Sequence, residues 1–108
     1  MRIALLLLLL ASQEVRVRVN PLISLAPANI TASVHIRPSP DNRYLVMGLS
    51  DNFGVISRSD QDLDEKSPSV FNRTFRLGEG NYVFEAVLVR MEKGQPKEYR
   101  DRQPFEVR

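Results

Sequence analysis

His35, Asp60, Asp62, Asp64 and Glu65 are the residues whose types and spacing come nearest to chemistry in this chain. His35 is the single histidine and lies between Val34 and Ile36. A metal site needs several ligands, so His35 would have to borrow acids or a second chain. On an alternating strand it reads as a solvated, outward residue. The acids alternate in "DQDLDE", the spacing that opens a calcium loop, where a hard cation gathers carboxylate oxygens. That loop requires glycine where Glu65 stands and glutamate where Phe71 stands. The stretch Asp60–Glu65 therefore reads first as a solvated loop, with calcium as the alternative. Serine nucleophiles need a base and an orienting acid, and the chain has no G-x-S-x-G and one outward histidine. The expectation is no enzyme, no catalytic residue, no cofactor and no metal.

Arg16 and Arg18 in "VRVRV" raise a second possibility, an anionic partner. The chain has 15 Lys and Arg against 13 Asp and Glu, a net charge of +2. That balance argues against nucleic acid, which calls for basic charge concentrated on one face. Alternating arginines on an exposed strand also protect it from edge-to-edge aggregation, with Glu14, Glu79 and Glu85 as expected cross-strand partners.

The elements that must carry these residues repeat with period two. "EVRVRVN" turns Val15, Val17 and Val19 one way; "ITASVHIR" does the same with Ile30, Ala32, Val34 and Ile36. "PLISLAPAN" is a bent connection with room for a short edge strand. "RYLVMGL" places Leu45, Met47 and Leu49 inward. "VISR" is a short strand, followed by the polar loop "SDQDLDEKSP". In "VFNRTFRL", Phe71, Phe75 and Leu77 point inward and Arg73 breaks the pattern; a bulge near Asn72 or a strand starting at Thr74 would resolve it. "YVFEAVLVRM" sends Tyr82, Phe84, Ala86 and Leu88 inward, "EKGQPK" is a hairpin turn, and Phe105 and Val107 face inward in the last strand, where Pro104 marks a bulge or edge. Some seven strands with turn signals about every ten residues predict an all-β, antiparallel β-sandwich without a disulfide, a small barrel being the alternative.

One stretch, "FRLGEGNYVFEAVLVR", is more specific. Leu77, Gly80 and Tyr82, followed by Phe84, Ala86 and Leu88, resemble the corner of immunoglobulin-like and fibronectin type III-like domains, in which a tyrosine bonds back to upstream backbone. The chain lacks the cysteine and the core tryptophan of antibody domains. It looks like the disulfide-free sandwiches of bacterial exported proteins. The resemblance implies an immunoglobulin-like fold over 14–108 and no particular function.

Behind the inward face of that strand, Val83, Val87 and Val89 should form an outer apolar surface, extended by Tyr44 and Val46 if their strand is its neighbour. Contiguous exposed apolar area marks an interaction site, unless the segment from Leu22 to Leu25 covers it. The surface suits a protein partner or self-association. A carbohydrate- or calcium-binding module and an extracellular protease inhibitor are the alternatives. Met1–Gln13, with Arg2 ahead of the apolar run Ile3–Leu10 and the small residues Ala11 and Ser12, reads as a secretory signal. The run is far shorter than the roughly 20 residues of a membrane span. No stable membrane span is expected after its cleavage. With no cysteine anywhere, the chain is expected to be secreted or periplasmic in a bacterial envelope.

Overall fold

The computed structural model describes residues 14–108. The expected signal, 1–13, lies outside the described residues. Eight strands form two sheets: β1 (Val15–Asn20), β2 (Ile23–Ser24), β3 (Ala28–Ile36), β4 (Asn42–Asp51), β5 (Gly54–Asp62), β6 (Val70–Leu77), β7 (Gly80–Glu92) and β8 (Gln95–Val107). One sheet runs β1-β3-β6 and the other β2-β8-β7-β4-β5. Together they make an immunoglobulin-like β-sandwich.

Alternation builds the core. Val15, Val17 and Val19 of β1 and Ile30, Ala32, Val34 and Ile36 of β3 are buried. They face Leu45, Met47 and Leu49 of β4, Phe84, Ala86 and Leu88 of β7, and Phe105 and Val107 of β8. A one-residue slip in any of these strands would turn its apolar set to water, so the pattern fixes the register. Lys93 (φ 51°) and Gly94 (φ 77°) form the two-residue turn of the β7–β8 hairpin, whose left-handed backbone matches the strand twist.

Several expectations need correction. The connection after β1 does contain a short strand, but β2 pairs in parallel with β8, through Ile23–Glu106 and Ser24–Val107. The chain thus leaves one sheet and joins the β8 edge of the other. β5 does not end at Arg58 but continues through Asp62. It is an edge strand lying beyond the three-stranded sheet, and nearly every residue in it is exposed. An edge exposed on both faces has no apolar alternation to betray it. Leu63, just beyond β5, drops into the core while its N–H donates to Arg43 O at 2.8 Å.

Arg73 stays in register on the inward face of β6, with neither a bulge nor a late start. Its cross-strand neighbour is Ala32. The small partner leaves room, and the long stem lets the guanidinium reach Asn72 O at 2.9 Å on the open side of the sandwich. Pro104 likewise sits in an unbroken ladder opposite Val83. Glu106 donates its N–H to Leu22 O, away from β7, so the ring nitrogen of Pro104, two residues back, faces the same side, beyond the reach of the two-residue β2, and the expected edge position holds without a bulge.

Candidate functional site

The corner residues come together as the sequence suggests. The Tyr82 hydroxyl donates to Gly78 O at 2.8 Å, and its ring stacks on Phe105 at 5.4 Å between centroids. Leu77 is buried beside it in the core cluster. Gly80 suits a close approach: a Cβ there would lie 3.3 Å from the Tyr82 ring and hydroxyl, which would have to give by a few tenths of an ångström. Gly78 has open space around it and contributes its carbonyl. This is scaffold.

The outer face of the five-stranded sheet carries the other sequence-derived candidates. The register sets Tyr44 beside Val89 and Val46 beside Val87, with Val83 opposite Ser50. Tyr44 is 43% exposed; Val46, Val83 and Val87 are half-buried. Val89 belongs to the same face by alternation but is only 5% exposed. It stands between Tyr44 and Glu98 across the strands and between Val87 and Met91 along its own, and a short side chain sinks among longer ones. The accessible apolar residues of this face are therefore Tyr44, Val46, Val87 and Val83.

Charge brackets this stripe on both sides. On β5, Arg58, Asp60 and Asp62 lie beside Gly48, Val46 and Tyr44. On β8, Glu98, Arg100 and Arg102 lie beside Val89, Val87 and Glu85. Arg58 pairs with Asp60 at 3.1 Å, and Arg100 with Glu98 at 2.8 Å and Glu85 at 3.7 Å. Among the described residues, most of the rim charges are thus paired with one another around an apolar centre, Asp62 and Arg102 excepted. The Leu22–Leu25 segment does not lie across the stripe. β2 extends the sheet sideways, and Leu22 and Ile23 join Val83 and Pro104 in lining an open depression of about 530 Å³ at the sheet's lower corner.

The acidic stretch does not converge. Asp60 and Asp62 point outward from β5 beside Val46 and Tyr44. Asp64 caps the next turn, accepting from Lys66 N–H at 2.7 Å and Ser67 Oγ at 3.3 Å. Among the described residues no three His, Asp or Glu side chains are grouped to hold a metal ion. Nor do the tyrosines make a sugar platform, because Tyr82 is committed to the corner and Tyr99 donates to Glu92 Oε1 at 2.7 Å.

The expected partners of Arg16 and Arg18 are elsewhere. Glu14 binds Arg90 at 2.7 Å and Arg37 at 3.5 Å, and Glu85 belongs to the opposite sheet. Arg16 and Arg18 instead stand beside His35 and Ser33. With Arg76 they give the outer face of the three-stranded sheet a basic character without an acid among its strand residues.

Sequence reasoning missed Arg90. It closes the far end of β7, donating through Nε to Asn42 Oδ1 at 2.8 Å and lying over the Tyr99 ring at 5.1 Å. The one signal was inward parity, since Arg90 continues the series from Tyr82 to Leu88.

No family model and no curated protein matches the chain by sequence. Solved structures do resemble it in fold, among them these two. The sulfur carrier protein SoxY from Chlorobium limicola f thiosulfatophilum superposes with a TM-score of 0.62 at 16% identity, over 88% of this chain and 79% of that one. A CARDB domain from Pyrococcus furiosus, solved in complex with di-metal ions, gives 0.55 at 14% identity, over 86% of this chain and 91% of that one. At these identities the likeness is one of fold: the chain is an immunoglobulin-like β-sandwich module.

Proposed function

We propose that this chain is an exported, non-enzymatic sandwich module that binds a protein partner through the outer face of its five-stranded sheet. The observation that carries this reading is the apolar cluster Tyr44, Val46 and Val87, with Val83 on the same face beyond Glu85, exposed to half-buried and flanked by the ion pairs Arg58–Asp60 and Arg100–Glu98. A protein surface that pairs most of its own rim charges leaves the apolar centre as the attractive element, the usual layout of a core and rim at an interface. Export to a bacterial envelope is supported by the leucine-rich segment after Arg2 and by the absence of cysteine from the whole sequence.

Val87→Arg tests the surface. Val87 is half-buried on the outer face, clear of the core cluster, so the variant should retain the wild-type unfolding midpoint within a few degrees. Cross-linking in an envelope extract should then show partner bands with the wild-type protein and lose them with Val87→Arg. Identical bands from a folded variant would refute this face as the binding surface.

A further inference from the structure

β5 ends the five-stranded sheet and has no second neighbour among the described residues. Its backbone parity is fixed by the bond from Leu63 N–H to Arg43 O. Residues 57, 59 and 61, of the same parity as Leu63, spend their N–H and C=O groups on β4, as directly opposed antiparallel pairs do. Arg58, Asp60 and Asp62 must therefore aim theirs outward, along the free edge. No proline interrupts Gly54–Asp62 and no bulge falls between Ser57 and Asp62. The register shift comes earlier, opposite Leu49 and Ser50.

We propose that this edge pairs with β5 of a second copy of the same chain, antiparallel, about a two-fold axis at Ser59. That axis sets Arg58 opposite Asp60 of the second copy, and Asp60 opposite its Arg58. These are the residues whose main-chain groups point outward, so each pair exchanges both of its hydrogen bonds while its side chains form an ion pair. On the other side of the strand, Ser57 meets Gln61 of the second copy and Ser59 meets itself, polar against polar. The symmetry is self-consistent, as an isologous contact demands.

Neighbouring axes fail. Centring at Arg58 opposes two arginines; centring at Asp60 sets Arg58 opposite Asp62 twice but keeps two aspartates face to face at its centre, a destabilising like-charge pair that the Ser59 axis lacks. Within the regular stretch, charge and backbone parity thus select one register. Arg58 and Asp60 are joined within the strand at 3.1 Å, with side chains 64% and 60% exposed. An exposed pair of that kind exchanges partners at little cost. Arg58 and Asp60 also border the apolar stripe, but the edge pairs through main-chain groups that the stripe does not use, and Val87→Arg separates the two readings.

Sedimentation velocity on the purified protein, from about 10 μM to about 1 mM, spans the range expected of a small interface. The wild type should move from monomer to dimer, less readily at higher salt because the pairs are screened. Arg58→Asp sets aspartates opposite each other and should weaken the dimer by about tenfold or more. Adding Asp60→Arg to it swaps the charges and should restore dimerisation. Asp60→Pro removes an outward N–H without touching the β4 ladder and should leave a folded monomer. Val87→Arg should dimerise like the wild type. A wild type that stays monomeric throughout would leave this edge to another chain and overturn the proposal. So would an Arg58→Asp dimer of unchanged strength, or a double variant that remains monomeric.

Discussion

Tyr82 and Arg90 stand on one face of β7, near its two ends, and each fastens the strand to something beyond its own ladder. Tyr82 reaches Gly78 O, four residues back. Arg90 reaches Asn42, 48 residues away, and the still more distant Glu14 at 2.7 Å. The first fastening is local and polar at its tip only. The second gathers the start of β4, the residue before β1 and the end of β7 around one guanidinium. Arg90 and Asn42 are buried, at 8% and 4% exposure, and a buried charge is tolerable only when paired and hydrogen-bonded. The corner shapes a turn; the arginine cluster closes an end of the sandwich.

The largest expected effect comes from breaking the second fastening. Arg90→Ala takes the hydrogen-bond donor from Asn42 and the ion-pair partner from Glu14, and should cost about 2–4 kcal/mol in denaturant unfolding, because removing one partner strands the others. Tyr82→Phe should cost about 1 kcal/mol, since Gly78 is exposed and its carbonyl can return to water. Equal losses in the two variants would remove the distinction between a local and a long-range fastening. An Arg90→Ala loss below the Tyr82→Phe loss would reverse it.

The smallest effect is in titration, at the rim of the arginine cluster. The Tyr99 hydroxyl donates to Glu92 Oε1. That bond, ahead of the attraction of Lys97 and Arg90, holds the Glu92 carboxyl below its ordinary range. The same bond pushes the Tyr99 phenol above its ordinary range. The signs follow from linkage. Glu92's contribution is complete above the ordinary glutamate range and is lost as pH falls through its lowered value. That of Tyr99 is complete below the ordinary tyrosine range and is lost as pH rises through its raised value. Both groups are open to solvent, so stability should be nearly flat between those limits. NMR titration of the Tyr99 ring should show its pKa moving down toward the ordinary value in Glu92→Gln. No movement would mean that the hydrogen bond is not what raises it.

The same division between local and long-range features separates what could be read in advance from what could not. Strands with one wet and one dry face were legible: β1, β3, β4 and the inner series of β7 alternate as the sandwich requires. β5 was cut short because an edge strand exposed on both faces carries no burial pattern. Alternation alone calls for a bulge near Asn72 or a strand start at Thr74, yet a small neighbour at Ala32 and an open sheet edge accommodate Arg73 in register. Of the candidate surface, strand adjacency and the outward parity of Tyr44, Val46, Val83 and Val87 were accessible to alternation. The burial of Val89 was not, because it depends on the lengths of side chains on three strands.

By itself the sequence determined what lies within a few residues: alternation with period two, a hairpin turn at Gly94, and the corner at Leu77, Gly80 and Tyr82. These rest on backbone sterics and on nearest-neighbour geometry, which a short segment carries with it. Only the tertiary structure decided that β2 crosses to join β8 in parallel, that Arg90 collects Glu14 and Asn42, and that β5 is left with an open edge. Each of these is a meeting of segments far apart in the chain. Which groups meet is set by the packing of the two sheets, and no local pattern encodes the partner.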